Sequence, residues 1–122
     1  MIAFLVEGTV FRMELNGQFT VLHASHGASY AGPKNTGLTL MPDGYFYGVR
    51  PRGGRAHQGS IYRVSSTGDY GDVHDFTDAG VSGMQPISTL ASDAGNTLYG
   101  TTIEGGKYGE GTVFRYVPPP VQ

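Results

Sequence analysis

The sequence predicts an all-β protein assembled from repeated four-stranded antiparallel sheets. Three observations carry this reading. The stretch GGRAHQGSIYR at 53–63 returns as GGKYGEGTVFR at 105–115, and a shorter copy, EGTVFR, stands at 7–12. The segments around these copies alternate apolar and polar residues with a period of two, which is the strand period. Glycine supplies 20 of the 122 residues and falls between those segments, where turns belong.

The elements follow in chain order. In TVFRMEL, Thr9, Phe11, Met13 and Leu15 face one side while Val10, Arg12 and Glu14 face the other. Asn16-Gly17 then reads as a two-residue hairpin turn of the primed kind, and Thr67-Gly68-Asp69 does the same in the second copy. Residues 19–24 form the partner strand. A long loop leads to a short strand at 37–41, the Pro42-Asp43-Gly44 turn and a returning strand at 45–50. No apolar spacing of three and four residues persists, so no helix competes. The later copy repeats this order. Matched positions include Phe11, Tyr62 and Phe114; Arg12, Arg63 and Arg115; His23 and His74; Leu38 and Leu90; Tyr47 and Tyr99; Gly48 and Gly100. A glycine inside a strand marks close approach of a backbone or an aromatic ring, so Gly48 and Gly100, with Tyr47 and Tyr99 beside them, read as packing residues.

Residues 1–122 therefore read as one repeat domain: repeats at 8–58 and 59–110, a partial third at 111–117 and a Pro-rich tail at 118–122. Repeats of 40–50 residues with several short strands mark the blades of a β-propeller. About four to eight blades are needed to close a ring, so two leave apolar faces that sister chains must cover. The expectation is a homo-oligomer, with a six-bladed trimer favoured in the manner of short two-blade lectins. The strand count resists in one place, because two blades need one TVFR strand fewer than the chain offers. The surplus copy swaps onto a neighbour, adds an outer strand or replaces one at the subunit junction.

GLTLMPDGYFYG at 37–48 and TLYGTTIEGGKYGEGTVFR at 97–115 resemble the GloVer-type bacterial tandem repeat. The second repeat matches closely; the first departs, with Val49-Arg50-Pro51 where the pattern has Thr-Thr. The resemblance implies many-bladed, often exported proteins with a propeller fold, and it carries no catalytic residue.

Composition narrows the function. Charged residues make up 15% of the chain, against roughly 25% in an average domain, and the net charge is −2. No basic stripe suggests a nucleic-acid groove, and no apolar run approaches the roughly 18 residues of a membrane span. The start, MIAFLVEGTVF, lacks a basic n-region and does not read as a signal peptide. The expectation is a cytoplasmic chain unless it derives from a longer precursor or leaves by a dedicated route. Cysteine is absent, which removes disulfides and thiolate chemistry. There is no nucleophile elbow, phosphate loop or H-E-x-x-H, so the chain reads as a non-enzyme without cofactor.

Alternate loops of an up-and-down sheet emerge at the same end. The long loops gather at one end and the tight turns at the other, which makes the long-loop end the expected functional face. There Arg50, Arg52, Arg55 and His57 crowd one loop, and Glu104, Lys107, Tyr108 and Glu110 the equivalent one. Arginine forks suit carboxylate or phosphate, while Tyr30 and Tyr108 suit stacking. His23 and His74 end equivalent strands. His26 makes an H-x-x-H with His23, too little for a metal site. Ser92 to Thr97 reads as an Asx turn. The sequence thus suggests a binding module presenting repeated pockets to a carbohydrate or a small anion such as a nucleotide. The alternatives are a structural ring without ligand, and a polysaccharide hydrolase or lyase using Asp72, Asp75 or Asp78.

Overall fold

A computed structural model of the chain describes residues 9–24, 37–52, 55, 58–77, 83–93 and 95–119. These residues are all-β and contain no helix. The strands are β1 (Thr9–Met13), β2 (Phe19–Ala24), β3 (Thr39–Leu40), β4 (Phe46–Arg50), β5 (Ser60–Val64), β6 (Tyr70–Asp75), β7 (Met84–Pro86), β8 (Ala91–Ser92), β9 (Leu98–Glu104) and β10 (Thr112–Tyr116). Every strand pairing is antiparallel.

Three sheets result. β1 and β2 form a hairpin, β3-β4-β5-β6 form a middle sheet, and β9 carries β10 on one edge with β7 and β8 on the other. The sequence repeat and the sheet are out of phase. The middle sheet takes β3 and β4 from the first repeat and β5 and β6 from the second.

The middle sheet is covered on both faces. On one side Tyr47, Val49 and Ile61 pack with Leu90 and Leu98 of the third sheet, joined by Phe114 and Tyr116. On the other side Tyr62 and Val64 pack with Val10 and Leu22 of the hairpin. Period-two alternation decides this arrangement, because neighbouring residues of β5 serve opposite cores. The start of β3 also touches the residues that lead into β8: Thr89 Oγ1 accepts from Gly37 N–H at 2.8 Å, and Thr39 Oγ1 donates to the Leu90 carbonyl at 2.5 Å.

The hairpin turn is not of the primed kind. Gly17 N–H donates to the Glu14 carbonyl (2.9 Å) and Glu14 N–H to the Gln18 carbonyl (2.7 Å), enclosing three residues. Gly17 has φ +90°, whereas Asn16 does not have positive φ, and either primed type of a two-residue Asn16-Gly17 turn needs it at Asn16. This is a type I turn closed by a left-handed glycine. The same bonds close 41–45 through Gly44 and 65–69 through Gly68, so one turn design is used three times.

The strand order otherwise follows the expectation, except that β7 forms within the long loop expected before β8. β7 and β8 lie on the same edge of β9, interrupted at 87–90. Pro86 has no N–H to continue the ladder. Ser88 Oγ fills part of the gap by accepting from Thr101 N–H at 3.1 Å. A bulge also recurs: pairing slips between Val10 and Phe11 and again between Ile61 and Tyr62, leaving Leu22 and Val73 as the extra residues.

Gly48 and Gly100 answer to rings from their own sheet rather than from the facing one. Gly48 pairs with Tyr62, and Gly100 with Phe114. A Cβ on Gly48 would stand 2.8 Å from Tyr62 Cζ, and one on Gly100 2.5 Å from Phe114 Cζ. Each ring lies across its cross-strand glycine, which lets a large aromatic fold flat onto the sheet.

Candidate functional site

The register separates the two ends of the sheets. The tight turns at 14–18, 41–45 and 65–69 close one end. The connections β4–β5, β6–β7 and β9–β10 emerge at the other.

At the long-loop end, Arg50 closes β4 opposite Ser60. Its guanidinium donates to both Asp72 carboxylate oxygens, at 2.9 and 3.0 Å, and to Tyr70 Oη at 3.2 Å. Ser60 Oγ donates to Asp72 at 3.3 Å. Arg55 Nε lies 3.4 Å from Asp75 Oδ2. Arg50 and Arg55 thus each face an aspartate of β6, and much of their charge is balanced within the chain. Two buried acceptors near this end, Gln58 Oε1 and Asp75 Oδ1, have no hydrogen-bond partner among the described residues. Arg52 stands exposed in the turn that follows β4.

The paired histidines serve packing. His23 stacks on Tyr70 with parallel rings 3.4 Å apart. His74 meets Phe76 edge-on at 5.0 Å and approaches Tyr116 at 6.0 Å. Among the described residues no group of three or more His, Asp or Glu side chains is placed to hold a metal. Lys107 and Tyr108 occupy the exposed turn between β9 and β10, with the ammonium 5.2 Å from the Tyr108 ring centre. His57 and Tyr30 lie outside the described residues, as does Asp78.

Sequence reasoning missed a second polar cluster, at the tight-turn end. Asp43 Oδ1 accepts from Tyr45 N–H at 2.9 Å and Oδ2 accepts from Tyr47 Oη at 2.6 Å. Arg63 lies 4.0 Å from Asp43 and 4.1 Å above the Tyr45 ring centre. Burial pushes the Tyr47 phenol up to about 12, and the bond to Asp43 adds to the rise. Burial also raises Tyr62 and Tyr70. In the third sheet, Tyr99 Oη donates to Asp93 at 3.2 Å, while Asp93 accepts from Gly95 N–H as the Asx reading expects. The signal was present in the recurrence of Arg12, Arg63 and Arg115. Arg12 donates to the Ser66 carbonyl at 2.7 Å and ties the hairpin to the middle sheet. Beside the Arg63 cluster, Tyr45, Arg63, Asp69, Tyr70 and Asp72 line a shallow pocket of about 160 Å³.

Stacked antiparallel sheets, a turn used three times and matched polar clusters define an all-β tandem-repeat protein. The chain belongs to the Gloeobacter/Verrucomicrobia repeat family, whose profile matches residues 5–121. Comparison with curated proteins and with solved structures gives no match.

Proposed function

We propose that the chain is a non-catalytic binding module, a set of propeller blades completed into a ring by sister chains, three in the favoured arrangement. The ring presents its long-loop end to a carbohydrate. The front-to-back stacking of three sheets supports the ring, because the face carrying Ile61, or its counterpart Val10, packs each time on the face of the next sheet that carries Phe114 or its counterpart Tyr62. The start of β3 touches the residues leading into β8, the equivalent strand of the next sheet, as strands nearest a common axis do.

The observation that carries the ligand class is the Arg50–Asp72 pair. An arginine held on a carboxylate is a fixed array of donors and acceptors with little net charge. Sugar hydroxyls, which both donate and accept, suit that array better than a free anion does. The exposed Tyr108, beside Lys107, offers an apolar ring face to a pyranose. Repeating these groups around a ring raises avidity for a repeated glycan. Asp72 and Asp75 are each engaged by an arginine, which favours positioning over acid–base work. The same engagement also favours a second reading, a structural ring with no small ligand.

A glycan array combined with a thermal-shift screen tests this. Neutral glycans are expected to raise the melting temperature by mass action, and nucleotides and acidic sugars to act weakly. Arg52→Ala/Arg55→Ala keeps the fold and lowers glycan affinity. A nucleotide-only response contradicts the carbohydrate reading. A folded ring silent to every compound leaves the structural reading in its place.

A further inference from the structure

We propose that the third sheet of one copy and the hairpin of a second copy are two parts of a single four-stranded sheet, so that copies join head to tail; this rests on the ring reading above. The first support is the edges. In the middle sheet β5 is flanked by β4 and β6. Its repeat counterparts are β1 and β10. Among the described residues β10 pairs only with β9, and β1 only with β2. One TVFR strand set between β9 of one copy and β2 of the next fills both open edges.

The faces agree with the edges. Tyr47 and Ile61 are wholly buried against the third sheet, yet their counterparts Tyr99 and Val113 are 38% and 79% exposed. Leu90 is buried against the middle sheet, while its counterpart Leu38 lies 38% exposed. Leu38 borders an apolar pocket of about 150 Å³ that it shares with Phe11, Leu22 and Phe46. β8 and β9 of another copy, placed across the shared TVFR strand from β2, set Tyr99 over that pocket, as Tyr47 is set with Leu90 inside the chain. The uncovered residues at one end of the molecule are therefore the partners of the uncovered residues at the other.

This arrangement assigns the surplus strand. β1 and β10 read TVFRM and TVFRY and differ only at Met13 and Tyr116. Both hold five-pair ladders, but β9 beside β10 is also paired to β7 and β8, whereas among the described residues β2 pairs only with β1. In the joint β10 takes the place of β1 beside the second copy's β2, and Val113 covers Tyr62 where Val10 did. A head-to-tail contact of this kind forms a ring when its rotation closes.

The chain has no cysteine, so introduced thiols report without background. Leu38→Cys and Tyr99→Cys chains, mixed with a short bismaleimide, are expected to give a covalent pair that neither gives alone. Val113→Lys, at an exposed site, is expected to weaken self-association at least tenfold while far-ultraviolet circular dichroism stays unchanged. If the unmodified chain is an oligomer and Val113→Lys leaves its mass unchanged, the joint is wrong and the ring reading stands. Cross-linking of either cysteine chain with itself marks a face-to-face dimer and also overturns the joint. A monomeric unmodified chain overturns both.

Discussion

Replacing Gly48 with alanine is the sharpest local test of the packing. The added Cβ would stand 2.8 Å from both Cζ and Oη of Tyr62, closer than real Cβ atoms come. Tyr62 is 1% exposed and packed among Val10, Val64 and Tyr70, so its ring has nowhere to retreat. Overpacking of this kind costs about 1–3 kcal/mol. Against it stands the lower chain entropy of alanine in the unfolded state, about 0.4–1 kcal/mol. The net expectation is a loss of about 1–2 kcal/mol, or roughly 3–5 °C in Tm per kcal/mol for a domain of this size. Gly71→Ala is the control, because a Cβ there meets nothing within 4 Å. It should be neutral or slightly stabilising. Urea unfolding at one fixed protein concentration measures both, since self-association also shifts apparent stability. Adding Tyr62→Leu to Gly48→Ala should recover at least 1 kcal/mol of coupling in a double-mutant cycle. If Gly48→Ala matches Gly71→Ala, or shows no coupling to Tyr62, the ring-over-glycine explanation of this strand fails.

Alkaline unfolding follows from the buried phenols. Tyr47 ionises near 10.0 in the unfolded chain and at about 12 when folded, so its contribution is complete below pH 10 and lost between pH 10 and 12, at about 1.4 kcal/mol per pH unit. Tyr47→Phe should flatten that slope in pH-dependent urea melts; an unchanged slope contradicts the assignment. Arg50→Ala should destabilise the chain by about 1–2 kcal/mol, discounted for partial exposure, because Asp72 is left facing Tyr70 without its cation. Arg50→Ala/Asp72→Ala should recover part of the loss, and strict additivity in the cycle would show that the pair contributes no coupling.

Much of the architecture is legible in the chain. TVFRMEL shows its strand period directly, and the glycines at 17, 44 and 68 mark where strands turn. Local pattern could not distinguish the turn type, because that depends on whether Asn16 also enters the left-handed region. The interruption between β7 and β8 was invisible for a different reason. A serine hydroxyl stands in for a ladder partner there, and Ser88 meets Thr101 only in the folded sheet. Burial of matched residues is likewise not a property of sequence. Leu38 and Leu90 are the same residue in the same repeat position, but only Leu90 has a full sheet in front of it.

The candidate site was legible as a set of residues and not as a set of partners. The arginine cluster was visible, but Asp72 lies in a strand that reaches Arg50 only through β5. Charge on a loop says little until its neighbours across the sheet are known. The recurring histidines show the converse, since their spacing suggested a shared role and aromatic packing on Tyr70 and Phe76 supplies it.

Solution mass across a dilution series, by light scattering, bears most directly on the proposal that sister chains cover the free sheet faces. The expected result is a species of three times the 13.0 kDa chain mass, persisting to micromolar concentration. A well-folded particle of single-chain mass throughout the series would contradict it.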